Sequence, residues 1–127
     1  MEKKILIVDD NPGDRKLLEE ALKEGNVDGQ ILYADRAQKA IVLAQKEQPQ
    51  IIFMDVMMPV TSGGDTVRLL RNDVRTKNIP IVFLTGIWSK KEEQDLSKGI
   101  NIEGQVYPTL SKPIDAKRLM SIVKQYV

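Results

Sequence analysis

Three runs of four apolar residues constrain the fold of this chain more than anything else in it: Ile5-Leu6-Ile7-Val8, Ile51-Ile52-Phe53-Met54 and Ile81-Val82-Phe83-Leu84. Each is too short for a core helix and lacks the polar alternation of a half-exposed strand, so each reads as a strand covered on both faces. Amphipathic stretches of helical period lie between them, which points to βα units around a parallel sheet. Each run also stops at a polar residue. Asp9 and Asp10 follow the first, Asp55 the second and Thr85 the third, while Lys112, before Pro113, follows the short segment Val106 to Leu110. On parallel strands these five residues would share the carboxyl edge of one sheet, where open α/β folds bind ligands.

The segments between the runs support this layout. The first strand is expected at about Lys4 to Asp9, and Asn11-Pro12-Gly13-Asp14 opens a helix after it. Asn11 suits the N-cap, Pro12 the first helical position, and Asp14 the positive helix end. Leu18, Ala21 and Leu22 form its apolar stripe, and Gly25-Asn26 stops it. A strand at Gln30 to Ala34 follows, then a helix capped by Asp35 with Ala37, Ala40, Ile41 and Ala44 on one face. The third strand spans Gln50 to Asp55, and the next helix turns Val67, Leu70 and Val74 inward. A fourth helix starts at the capping box Ser89-Lys90-Lys91-Glu92, but only Leu96 is strongly apolar from Ser89 to Gly99, so it should be easily displaced. The fifth strand, about Gln105 to Ser111, contains Pro108, which argues for an edge position. The last helix starts near Asp115, with Leu119, Ile122, Val123 and Tyr126 on one stripe.

Composition narrows the function. At 127 residues the chain reads as one domain, residues 1–127, able to bury roughly two-thirds of its unfolded surface. With 19 basic and 18 acidic residues it carries a net charge of +1, which gives no case for direct nucleic-acid binding, and no basic tract suggests a membrane surface. It contains no cysteine and no histidine, which removes disulfides, thiolate and imidazole zinc sites and histidine-based triads. No apolar run approaches the ~20 residues of a membrane span, so the expected compartment is the cytoplasm.

Taken singly, the edge residues have plain explanations. Asp9-Asp10 could be a turn-and-cap pair, Asp55 a loop entry, Thr85 an ordinary strand residue and Lys112 a solvated lysine. Together they describe chemistry. Adjacent parallel strands lie ~4.8 Å apart, so carboxylates ending the first and third would crowd and call for a cation. Hard oxygen ligands without nitrogen or sulfur select Mg²⁺, or Mn²⁺, over zinc. A hydroxyl at Thr85 and an ammonium at Lys112 could hold the oxygens of a phosphoryl group, with Asp55 as the nucleophile.

These residues resemble the receiver domain of two-component response regulators over essentially the whole chain. Val8-Asp9-Asp10 is similar to that family's acidic pair and Met54-Asp55-Val56-Met57-Met58-Pro59 to its phosphoacceptor segment. Leu84-Thr85 resembles the switch threonine, and Lys112-Pro113 the family lysine and its proline. The resemblance implies a flavodoxin-like, doubly wound (βα)5 fold with a five-stranded parallel sheet of order 2-1-3-4-5. It further implies Mg²⁺ held by Asp9, Asp10, Asp55 and the backbone carbonyl of Met57, phosphorylation of Asp55, and a cis Lys112-Pro113 peptide. The implied partners are a sensor histidine kinase or histidine phosphotransfer protein, and a downstream protein or output domain.

The chain departs from the family pattern in the loop Val60-Thr61-Ser62-Gly63-Gly64, at the flexible Gly86, and at Thr109, where an aromatic residue is usual. Tyr107 faces the same side of an extended strand but lies ~6.6 Å away along it, with Pro108 between. The signal is therefore expected to leave through Gly86-Ile87-Trp88 and the fourth helix. Apolar Met57 and Ile87, beside the attack path in this family, imply a long-lived phosphoryl state. Two other functions compete: a pseudo-receiver that binds partners without phosphate, and a hydrolase of the haloacid-dehalogenase type. The latter needs a second acid two residues after the nucleophile, where Met57 stands. Neither a P-loop nor a dinucleotide-binding glycine pattern occurs.

Overall fold

A computed structural model describes residues 3–56, 62–86 and 99–126. Its centre is a parallel sheet built from β1 (Lys4–Val8), β2 (Gln30–Ala34), β3 (Ile51–Asp55), β4 (Ile81–Gly86) and a strand at Thr109–Lys112. The described helices are α1 (Pro12–Glu24), α2 (Ala37–Glu47), α3 (Gly63–Arg71) and α4 (Ala116–Tyr126). A short hairpin, β5 (Ile100–Ile102) and β6 (Gln105–Tyr107), stands apart from the sheet and precedes the Thr109–Lys112 strand, which is therefore β7. The sheet order is β2-β1-β3-β4-β7, so the doubly wound order 2-1-3-4-5 holds with β7 as the fifth parallel strand. The fourth helix expected from Ser89, with Ile87, Trp88 and Leu96, lies outside the described residues.

Strand periodicity divides the core into two layers. Ile5 and Ile7, Ile51 and Phe53, Val82 and Leu84, and Leu110 face α1 and α4, meeting Leu18, Leu22, Leu119, Ile122 and Val123. Leu6 and Val8, Ile52 and Met54, Ile81 and Phe83 face the other way, against Ala40 and Ala44 of α2 and Val67 and Leu70 of α3. The central runs have no polar alternation because both their faces are dry. On the helix side, α2 contributes small alanines to this packing, and α3 and α4 contribute larger Leu, Ile and Val side chains.

The helix signals at α1 work as read. The Asn11 side chain accepts from the Asp14 N–H, Pro12 takes the first turn, and Gly25 caps the end. Three expectations need correction. Asp35 does not cap α2; Arg36 holds the N-cap position with no side-chain cap bond, and Asp35 lies beside its guanidinium at 3.8 Å. Val74 is 77% exposed, because α3 ends at Arg71 and the chain turns at Asp73. The segment Gln105 to Ser111 is not one strand. Pro108 separates β6 from β7: β6 folds back antiparallel on β5 through Glu103 (φ 51°) and Gly104 (φ 89°), both left-handed as a tight hairpin turn demands.

Arg71 ties this region together. Its Nη1 donates to the carbonyls of Thr76 (3.3 Å) and Lys77 (2.5 Å), Nη2 to that of Ile79 (2.9 Å), and Nε to the Tyr107 hydroxyl (2.8 Å). The guanidinium also lies over the Tyr107 ring, whose edge meets Phe83. Tyr107 is buried, so one side chain closes the turn after α3 and anchors β6. Arg71→Ala should lower the urea midpoint by an amount equivalent to about 2–3 kcal/mol, because the Lys77 and Ile79 carbonyls and the Tyr107 hydroxyl lose a donor at once. Arg71→Lys should recover less than half of it, since an ammonium lacks the planar fork.

Candidate functional site

Residues beyond each strand end continue that strand's alternation. Asp9 extends the Ile5, Ile7 series, Asp55 the Ile51, Phe53 series, and Lys112 follows Leu110, so all three belong to the α1 side of the sheet. Pairing then sets their height. Val8 lies opposite Met54, Asp55 opposite Leu84, and Gly86 opposite Lys112. The result is a cleft at the carboxyl edge in which Asp9 and Asp55 are buried and Asp10 is exposed.

Asp9, Asp10 and Asp55 each offer a carboxylate oxygen within 4.8 Å of the others. Such a group of oxygens, one exposed and two buried, fits a small hard divalent cation such as Mg²⁺. The fourth sequence candidate for that ion, Met57, lies outside the described residues. Lys112 Nζ is 2.8 Å from Asp9 Oδ2, 3.0 Å from Asp14 Oδ2 and 3.7 Å from Asp55 Oδ2. Burial works to lower the pKa of this ammonium, but its bonds to Asp9 and Asp14 outweigh that and raise it, with the charge of Asp55 adding to them. Lys112 is therefore a fixed cation in a carboxylate cleft, and the peptide joining it to Pro113 is cis.

Asp14 was read in the sequence as a helix-dipole residue, and the structure gives it a second role at Lys112. The signal available was its place four residues after Asp10, one turn into α1, where its side chain can reach back over the sheet edge. Below this pair lies an apolar recess lined by Leu17, Leu18, Leu84 and Ile114. Asp9 is itself braced: Oδ1 accepts from the Asn11 N–H (3.0 Å), and its carbonyl accepts from Arg15 Nη1 (2.7 Å). Arg15 lies beside the ring of Tyr33, whose hydroxyl donates to Glu19; burial first, and then that carboxylate, push the phenol up to about 12.

Two further residues shape the cleft. Gly63 opens α3, and its N–H donates to the Val56 carbonyl (3.1 Å). A Cβ there would stand 2.4 Å from the Asp55 carbonyl oxygen, so only glycine lets α3 start this close to the end of β3. Thr85 is buried, and among the described residues its hydroxyl is the buried side-chain polar atom that finds no hydrogen-bond partner. Unpaired buried hydroxyls cost stability, so one at a carboxyl edge invites a functional explanation. Thr109, where an aromatic residue was expected from the family pattern, is buried, and its carbonyl accepts two bonds from Arg118 of α4.

Comparison with known proteins agrees with this fold. The family model described as the response regulator receiver domain matches residues 5–124. Protein PilH of Pseudomonas aeruginosa is 33% identical over 121 residues, covering 94% of this chain and 93% of that protein. The polar-differentiation response regulator DivK of Brucella anthropi is 27% identical over 127 residues, covering 100% of this chain and 98% of DivK. Among solved structures, the chemotaxis response regulator CheY4 of Vibrio cholerae superposes with a TM-score of 0.77 at 25% identity, with both chains covered completely.

The lone hydroxyl yields a test that needs no ligand. Thr85→Val keeps the branched shape and removes the unpaired group, so it should raise the thermal midpoint of the free protein, by the equivalent of about 1 kcal/mol. A lowered midpoint in a urea or heat melt would mean that the hydroxyl already has a partner.

Proposed function

The chain belongs to the response regulator receiver domain family, and from that premise we propose that it is a phosphoacceptor signalling domain in which Asp55 receives a phosphoryl group from a histidine kinase or histidine phosphotransfer protein. The observation that carries this reading is the convergence of Asp9, Asp10, Asp55 and Lys112 on one cleft, with the unpaired Thr85 hydroxyl at the same edge. We place it in the cytoplasm, acting as a single receiver unit on a downstream protein or output domain. No described helix is long and apolar enough to cross a membrane.

In the proposed reaction an Asp55 carboxylate oxygen attacks the phosphorus of the donor's phosphoimidazole. A P–O bond forms to Asp55, the donor's P–N bond breaks, and the electron pair leaves with the imidazole nitrogen. Asp9, Asp10 and Asp55 would hold Mg²⁺, with the Met57 carbonyl as the further ligand that the family pattern implies. The ion would supply charge neutralisation for the phosphoryl oxygens. Lys112 is already fixed within 3.7 Å of Asp55 and supports the reading by offering a cation to one of those oxygens. The Thr85 hydroxyl can donate to another, which would give it the partner it lacks. Burial of Asp55 limits the water that reaches the product. The role is acceptance and release of one phosphoryl group rather than turnover of a substrate.

Treatment with acetyl phosphate and Mg²⁺ should add one phosphoryl group, mapped by mass spectrometry to the peptide containing Asp55. Asp55→Asn should take up none. Uptake by that variant would move the acceptor elsewhere, and no uptake by the parent would favour the phosphate-independent interaction module.

Millimolar Mg²⁺ should raise the melting temperature of the parent, because an ion that binds only the folded site stabilises by mass action and relieves repulsion among the carboxylates. The shift should fall by more than half in Asp10→Asn. Equal shifts in both proteins would place the ion away from the cleft.

A further inference from the structure

Asp14 is the acid at Lys112 for which the proposed reaction has no use. Its Oδ2 stands 3.0 Å from the ammonium, closer than the 3.7 Å of the acceptor Asp55. It comes from the first turn of α1 rather than from the sheet edge. Helix stability does not require the contact. The N-cap bond is made by Asn11 to the Asp14 N–H, and a carboxylate that favours the helix dipole needs no ion-pair partner.

The other carboxylates explain what the contact does. Asp9 Oδ2 is bonded to Lys112, yet Asp9 also belongs to the group of oxygens that fits a divalent cation. A cation there and the ammonium repel each other and share one carboxylate. Asp14 offers the ammonium a place in the cleft that does not depend on Asp9. Lys112 faces Asp9, Asp14 and Asp55, and with Asp10 the cleft holds four carboxylates against one ammonium, so even a divalent cation leaves a net negative charge where an anionic phosphoryl group has to enter.

We propose that Asp14 is a positioning residue, a second seat for the Lys112 ammonium that competes with phosphoryl oxygens for it and so lowers the affinity of the site for a phosphoryl group. This rests on the phosphoacceptor reading. In this proposal the ammonium shifts from Asp14 toward the acceptor as it bonds a phosphoryl oxygen, so the Asp14 contact weakens as the phosphoryl contact forms. The Asp14 side chain is 34% exposed, which keeps the pair weak enough to exchange. A pair of this exposure changes an equilibrium by about two- to fivefold.

The test uses Asp14→Asn, which preserves the backbone N–H held by Asn11. Beryllofluoride, a phosphoryl mimic, is titrated at saturating Mg²⁺ and followed by ¹⁹F NMR, and the Nζ signal of Lys112 is followed by ¹⁵N NMR with Mg²⁺ alone. The variant should bind beryllofluoride about two- to fivefold more tightly. Its Lys112 Nζ signal should shift or broaden relative to the parent, because the ammonium has lost its seat. Unchanged or weaker beryllofluoride binding overturns the proposal. Tighter binding with an unchanged Nζ signal also overturns it, since Asp14 would then act through its charge alone. A parent that binds no beryllofluoride sinks the phosphoacceptor reading and this inference together, whereas a parent that binds it while the variant fails either criterion sinks only the role of Asp14.

Discussion

The ammonium of Lys112 joins carboxylates from three separate places: Asp9 after β1, Asp14 in α1 and Asp55 at the end of β3. Strand spacing in a parallel sheet forces the two strand-end acids together, and like charges at that distance repel unless a cation is present. The sheet can keep them only because β7 brings a lysine to the same side. That in turn depends on the β4–β7 register, which sets Lys112 opposite Gly86, one step beyond the pairing of Thr85 with Ser111. A register slip of one residue would turn Lys112 to the α3 side and leave Asp9 without its cation. Site and topology are thus one constraint.

The sheet and its carboxylate-lined edge were legible because the signals were local. An unbroken run of four apolar residues has few explanations other than a strand buried on both faces, and the polar residue after it marks the edge. The Asn11 cap and Pro12 likewise act within a few residues. What escaped depends on contacts distant in the chain. Asp14 already had an adequate local account as an N-terminal acid, so nothing in the sequence required a partner 98 positions away. Val74 continued an apolar stripe, but the turn at Asp73, closed by Arg71, ended the helix before it. The β5–β6 hairpin was carried by Glu103-Gly104 between short apolar stretches, a pattern masked by the reading of Gln105 to Ser111 as one continuous strand.

Arg71 shows a different kind of economy. The turn after α3 presents backbone carbonyls outside any regular ladder, and a single planar donor group bonds three of them, that of Thr76 alongside the Ile79 N–H. The same group pins Tyr107, an aromatic residue on the face where the family pattern expects one two residues later. Held by a hydrogen bond, by the guanidinium over its ring and by the edge contact with Phe83, Tyr107 is part of the core beneath that face. Thr109 and Thr85, both buried, lie further along the same face, Thr109 opposite Phe83 and Thr85 opposite Ser111.

The division of the 105–112 segment by Pro108 also bears on how these molecules behave in a crowd. A sheet whose last strand leaves amide groups unpaired is a template on which another chain can add a strand. Here β7 has four residues, begins after Pro108 and ends before Pro113, and the residues that could have lengthened it are spent on a hairpin of their own. A proline at each end offers no amide proton to a newcomer. The short outer strand therefore carries a lysine to the carboxylate cleft while presenting little surface for one copy to recruit the next into a growing β-stack.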